Sequence, residues 1–278
     1  MRFELLATLM VVVSVAPAFG TTVNLGNADV FGLLSGNTSG STGTISNTGL
    51  SIINGDVGAL VTISGFPPGT VTAGHTVYPY PSDPTVQGAA SDFETAFGLA
   101  SSSISDYTIS GANQGTQTFS GGGVYAFSGD GVTGDVTWTA GSVLTFNGSG
   151  VFLMQIPGDM TVNGPITFVL GTGVLASQIY WVVGTPTLSE TVTINPTVPI
   201  VWDGNILTDN FVMSHSSSGA FSGTINGCVL TTISITLGAA TDVNGCSVTL
   251  ESVPEPGSLG LVTLGGLLGA LGLRKLRA

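Results

Sequence analysis

Between residues 21 and 252 the chain has no lysine and no arginine. Its only basic side chains are Arg2, Arg274, Lys275 and Arg277. The same span keeps every acid except Glu4 and Glu255, so it is strongly anionic. Nucleic-acid affinity rests on Lys or Arg contacts to phosphate, and none exist here. Binding to nucleic acid and to anionic lipid is thereby excluded, as are Lys and Arg salt bridges. Phosphate and carboxylate substrates lose their usual charged partner. Charged residues make up only 7% of the chain, against about a quarter in ordinary domains. Histidine is nearly absent too: His75 and His215 lie far apart, without metal-ligand spacing. No Gly-x-Ser-x-Gly elbow occurs, and His215 beside Ser216–Ser218 is a polar loop rather than a triad. These absences predict a protein that is not an enzyme and that holds no cofactor and no metal. Gly129-Asp130-Gly131-Val132-Thr133-Gly134 formally matches a dinucleotide fingerprint but lacks the following amphipathic helix, so its glycines are read as turn residues. Asp130 and Asp135 offer carboxylate oxygens suited to Ca²⁺, but two acids in a turn do not make a site.

What is present is apolar and turn-rich: 42% hydrophobic residues and 42 glycines. Low charge with abundant Gly, Ser, Thr and Val predicts a mainly β chain rather than a disordered one. Short apolar runs separated by Gly, Asn and Asp read as strands. They include Val124–Phe127, Val136–Thr139, Val143–Phe146, Val151–Ile156, Thr161–Val162, Ile166–Leu170, Ile179–Val183, Val192–Ile194, Ile200–Trp202, Phe211–Met213, Val229–Leu237 and Ser247–Leu250. Gly65-Phe66-Pro67-Pro68-Gly69 is a turn signal. A loose repeat runs Gly55-Asp56-Val57, Gly134-Asp135-Val136-Thr137 and Gly158-Asp159-Met160-Thr161. Such a period suggests stacked coils of a β-solenoid. A β-sandwich, its rival, would need more regular hairpins.

One helix stands out, over residues 83–100. Val86, Ala89, Ala90, Phe93, Ala96, Phe97 and Ala100 recur at steps of three and four and define one face. Asp83 is suited to the N-cap and Pro84 to the first turn. Asp92 and Glu94 fall off the stripe and are expected to face water. Cys228 and Cys246 are the only cysteines. A disulfide between them and a pair of buried thiols are both compatible with an exported protein.

Both ends read as targeting segments. Residues 1–20 carry Arg2, an apolar core from Leu5 to Val15 and a small-residue stretch, the order of a signal peptide. At the other end, residues 253–278 hold Pro254-Glu255-Pro256, an apolar run from Gly257 to Leu273 and a terminal basic cluster. The run is at the short limit for a membrane span. The series resembles the PEP-CTERM sorting signal. That resemblance implies an exosortase-type processing protease, membrane contact only through this segment before processing, and display at the cell surface or extracellular matrix of a Gram-negative bacterium.

Residues 21–252 form the domain between these ends. Val23-Asn24-Leu25-Gly26, Ile53-Asn54-Gly55-Asp56-Val57-Gly58, Gly65-Phe66-Pro67-Pro68-Gly69-Thr70-Val71 and Asp92-Phe93-Glu94-Thr95-Ala96-Phe97 come in order. Gly123-Val124-Tyr125, Gly134-Asp135-Val136-Thr137 and Ile179-Tyr180-Trp181-Val182-Val183 follow. This set resembles the microbial ice-binding proteins with a discontinuous β-solenoid. The resemblance implies a right-handed, three-faced β-helix with one long α-helix packed alongside, and adsorption to ice through a flat face. Thr suits such a face because its χ1 is stiff and it carries both a methyl and a hydroxyl. The candidates are Thr137, Thr139, Thr161, Asn163, Thr191 and Thr193. The family's Thr-Ala/Gly-x-Thr/Asn pattern is not completed by Thr139-Ala140-Gly141-Ser142, Thr72-Ala73-Gly74-His75 or Ser218-Gly219-Ala220-Phe221. Pro165 and Phe221 also interrupt a regular array. The competing function is a matrix or adhesin-type protein binding extracellular polysaccharide. Exposed rows of Trp138, Tyr125 or Trp202 would favour it, whereas Trp181 is expected in the core.

Overall fold

The computed structural model describes residues 22–39, 41–78, 83–187, 189–214, 221–238 and 240–246. These belong to the first of two units, Met1–Ser247 and Val248–Ala278. The segments read as signal peptide and sorting signal lie outside the described residues, as do His215, Ser216–Ser218 and Ser247–Leu250. Among the described residues no helix is long and apolar enough to cross a membrane.

The described strands pair in parallel and stack as coils with three faces, here A, B and C. Along face A the order is Tyr107–Ile109, Gly123–Phe127, Phe152–Ile156 and Ile179–Val183. The first halves of Asn205–Met213 and Val229–Leu237 follow, then Phe31–Ser35 and Asp56–Ala59. Face B runs through Asn113–Gln114, Val136–Thr139, Met160–Asn163, Thr191–Asn195, the second halves of the same two long strands, Thr44–Asn47 and Thr62–Ser64. The long strands turn the corner from A to B, with a register shift between Thr208 and Asn210. Face C is split into Gln117–Ser120, Val143–Asn147 and Thr167–Leu170, and a separate sheet of Ile200–Asp203, Phe221–Asn226, Ala240–Val243, Ile52–Ile53 and Thr70–Val71. The stack is discontinuous in sequence: Val229–Leu237 pairs with both Phe31–Ser35 and Thr44–Asn47, so residues near the N-terminus cap the coils nearest the C-terminus.

Alternation explains the interior. On face B, Val136, Met160, Val192, Phe211 and Ile235 point inward, as do Trp138, Val162, Ile194, Met213 and Leu237, and all are buried. Trp138, Trp181 and Trp202 form the aromatic centre, with ring centroids 6.1 Å apart for the first two and 5.0 Å for the second pair. The Trp181 indole N–H donates to the Asp203 carbonyl at 3.0 Å. Cys228 and Cys246 are joined by a disulfide with 4.5 Å between their Cα atoms.

The helix spans Pro84–Ser101, one residue beyond the expected end, and the Asp83 carboxylate accepts the Thr85 N–H at 2.8 Å. Its whole expected apolar stripe is buried. It lies on face A, touching Phe31–Ser35, Phe152–Ile156, Ile179–Val183 and Val229–Leu237. There the coil turns outward Leu34, Leu153, Val182, Leu207 and Leu230, all buried. A Cβ on Gly58 would come within 3.1 Å of Val86, so a glycine lets the helix approach the sheet. The amide of Gln155 donates to the carbonyls of Ala100 and Ser103 and fixes the helix end. Asp92 and Glu94 are not simply solvated, contrary to expectation. Asp92 accepts the backbone and side-chain N–H groups of Asn27, and Glu94 accepts the Thr38 hydroxyl. The residues preceding and following Phe31–Ser35 fold beside the helix, a proximity that spacing on the helix alone cannot reveal.

Candidate functional site

With the middle of face A covered by the helix, faces B and C remain. Face C carries outward Thr118, Thr145 and Val169 in one sheet and Val201, Thr224, Asp242, Ile52 and Thr70 in the other. It is broken between sheets and mixes an acid with apolar residues. Face B is continuous. Its central outward file runs Asn113, Thr137, Thr161, Thr193, Val212, Thr236, Ser46 and Ser64, each paired with the next. Neighbours in such a file stand about 4.8 Å apart, the inter-strand distance. A second file, two residues earlier on each strand, runs Thr191, Asn210, Ser234, Thr44 and Thr62. The two files are separated by roughly 6.6 Å, twice the rise per strand residue.

The hydroxyls of Thr137, Thr161, Thr193 and Thr236 take no hydrogen bond from or to the described residues, so their hydrogen-bonding capacity faces outward. Their methyls sit beside them on a backbone locked by parallel ladders. The face is thus a regular array of small, stiff, uncharged groups. It can order water at fixed spacing, and little side-chain entropy is lost when it meets a surface.

The candidates therefore divide. Thr137, Thr161 and Thr193 share the central file, and Thr191 belongs to its neighbour. Thr139 and Asn163 lie in a marginal file with Asn195. The Thr139 hydroxyl is turned to the Gln114 carbonyl and the Ser142 hydroxyl, both at 3.2 Å. Asn195 accepts the Ser214 hydroxyl at 2.8 Å. Sequence reasoning missed Thr236, Ser46 and Ser64, and Ser234, Thr44 and Thr62 beside them. A signal existed: Thr191-Val192-Thr193, Ser234-Ile235-Thr236, Thr44-Ile45-Ser46 and Thr62-Ile63-Ser64 are all hydroxyl, β-branched, hydroxyl triplets. Pro165 falls outside the face B strands, and Phe221 opens a strand of face C, so neither interrupts the array. The aromatic alternative fails on burial, since Tyr125, Trp138 and Trp202 are buried along with Trp181.

The Gly-Asp repeat marks one edge of face B. The Asp135 carboxylate accepts the Asp159 N–H at 2.9 Å, and Asp159 accepts the Thr191 N–H at 2.7 Å. Gly158 is required here because a Cβ would stand 2.4 Å from the Asp135 Oδ1. Asp56, in the first copy of the repeat, begins a face A strand instead and accepts the Thr76 N–H, with His75 at 3.4 Å. Burial, then the hydrogen bond and charge of Asp159, push the Glu190 carboxyl up. Burial pushes Asp209 up to about 6, moderated by the Thr232 hydroxyl and the Glu190 N–H. The Asp130 carboxylate accepts the N–H groups of Val132, Thr133 and Gly134, which hold it down at about 2. This loop is a self-contained turn, as its glycines suggest.

A stack of parallel β coils braced by one helix and presenting an uncharged hydroxyl array places the chain in a class of helix-braced β-coil proteins. The chain belongs to the ice-binding-like family, whose model matches residues 39–244. Residues 252–277 match the PEP-CTERM protein-sorting motif. Among solved structures the chain is similar to an ice-binding protein from the Antarctic ascomycete Antarctomyces psychrotrophicus. The two are 27% identical, with a TM-score of 0.65, over 82% of this chain and all of that one. It is also similar in fold to an ice-binding protein from an Antarctic biological consortium (24% identity, TM-score 0.61, 87% of this chain and 95% of that one). The same holds for the ice-binding protein 1 domain of Shewanella frigidimarina (22% identity, TM-score 0.59, 82% and 99%). Among curated protein sequences none matches significantly.

Proposed function

We propose that face B, centred on Thr137, Thr161 and Thr193, adsorbs to ice and thereby inhibits ice growth or recrystallisation. The observation that carries this reading is the central file in which Thr137, Thr161, Thr193 and Thr236 hold hydroxyls without partners among the described residues, on a sheet face that the helix leaves open. Thr191 contributes from the adjacent file, and Thr139 and Asn163 form the margin. The coil sense is right-handed, as the family resemblance implies, and the domain has no enzymatic role. Residues 1–20 direct export, and 21–252 are the working domain. Pro254, Glu255 and Pro256 are the sorting motif read by an exosortase-type protease, after an interim membrane insertion of 253–278. The sorting-motif match supports display at the surface of a Gram-negative cell. No observation favours polysaccharide as the ligand.

Thermal hysteresis and recrystallisation assays on residues 21–252 test this reading. Activity is expected in the unaltered domain and is lost when Thr137 and Thr161 are replaced by Tyr, with the unfolding temperature retained. A domain that neither shapes ice nor slows recrystallisation at high concentration would refute it.

A further inference from the structure

The corner between faces A and B gathers carboxylates that sequence spacing kept apart. Asp135, Asp159 and Glu190 each bring one carboxylate oxygen within 4.8 Å of the others. Two oxygens bound to one Ca²⁺ at 2.3–2.6 Å stand at most about 5 Å apart, so the group is of the right size. Asp135 and Asp159 are already fixed by backbone N–H groups of adjoining coils, and each retains a second oxygen. A separate observation points to the same corner. Asp209 is fully buried, and its Oδ2 accepts no hydrogen bond of ordinary geometry. That oxygen and the Glu190 side chain flank Gly184. A Cβ built there would stand 3.1 Å from the Asp209 Oδ2 and 2.8 Å from the Glu190 Cβ. The Asp209 Oδ1 is taken by the Thr232 hydroxyl, so Oδ2 is the oxygen left over, on the side of Gly184 where the Glu190 side chain also stands.

The protein supplies nothing to balance these charges. No Lys or Arg exists between residues 21 and 252, and His75, the one histidine among the described residues, sits on Asp56. Carboxylate oxygens without imidazole or thiolate select hard cations over zinc or copper.

We propose that Asp135, Asp159 and Glu190 form a Ca²⁺ site, with the buried Asp209 behind them, and that the ion clamps successive coils at the edge of face B. The three ligands come from consecutive coils, so binding adds a cross-link to strands already joined by ladders, by core packing and by the Asp135 and Asp159 side-chain bonds. The site is independent of whether face B binds ice.

The test is thermal unfolding of the full-length chain after chelation, with and without millimolar calcium chloride. Binding to the folded state alone raises Tm, and saturating calcium should raise it by at least about 4 °C. Glu190→Gln and, separately, Asp135→Asn should abolish that rise, whereas Asp130→Asn, altering an acid of the self-contained turn, should keep it. Sensitised terbium luminescence gives a second readout, saturable in the unaltered chain and lost in Glu190→Gln. Equal Tm with chelator and with calcium would overturn the site, as would an undiminished rise in Glu190→Gln. A Tm that responds to acidification but not to calcium would also overturn it, because the corner would then hold a shared proton rather than an ion.

Discussion

Thr161 shows how much a single position depends on its neighbours. Alone it is an exposed strand residue; between Thr137 and Thr193 it is one step in a regular array. Its value lies in spacing and stiffness, so a bulky replacement damages the array rather than one contact. Tyr180 illustrates the opposite case, a residue whose polar atom must stay neutral. It is buried on the helix-covered face, and burial, followed by the charge of Asp29, pushes its phenol up to about 12. The unfolded chain ionises near pH 10, so the stabilisation is fully present below pH 10 and is lost as pH rises towards 12. A two-unit shift corresponds to at most about 3 kcal/mol. Denaturant unfolding across this window should show stability falling, with a shallower fall in Tyr180→Phe. Parallel curves for the two proteins would contradict the assignment.

At the scale of elements the helix is the clearest test. Its buried face carries Phe93 and Phe97, with ring centroids 5.6 Å apart, on a helix that lies against face A. Phe93→Ala should destabilise by about 3–5 kcal/mol in chemical denaturation, the usual cost of emptying a buried aromatic site. A change near zero would mean that the helix does not brace the coils. This element was legible in the sequence because its period, its N-cap and its first-turn proline are all local. Several strands were legible for the same reason: Val136–Thr139, Ile179–Val183 and Val229–Leu237 have the bounds their apolar runs suggest. Asn205–Met213 was read only in its second half. Asn205, Asp209 and Asn210 broke the run: Asn205 opens the strand, where its side chain donates to the Ile179 carbonyl and accepts the Cys228 N–H, and Asp209 and Asn210 stand where the strand turns the A–B corner.

At the scale of the molecule the decisive fact is the discontinuous stack. Residues 44–46 and 62–64 extend a face whose other members lie beyond residue 112, and no local period can announce that. The acidic corner escaped for the same reason, since its members are far apart in sequence and meet only when coils stack. The disulfide joins Cys228 and Cys246 across the end of the C-terminal coils, against which the N-terminal segment rests through Ala28 and Phe31. Closing a loop of this size contributes roughly 3 kcal/mol. Reduction should therefore lower the unfolding midpoint while leaving the far-ultraviolet spectrum mainly β; an unchanged midpoint would show that the coils hold without it.

The central claim concerns one face, and the most direct measurement compares faces within the same fold. Thr161→Tyr alters face B, and Thr145→Tyr alters an outward position of face C. Thermal hysteresis of residues 21–252 should be lost in Thr161→Tyr and retained in Thr145→Tyr, with both variants folded. Equal activity in the two variants, or loss confined to Thr145→Tyr, would contradict the assignment of ice adsorption to face B.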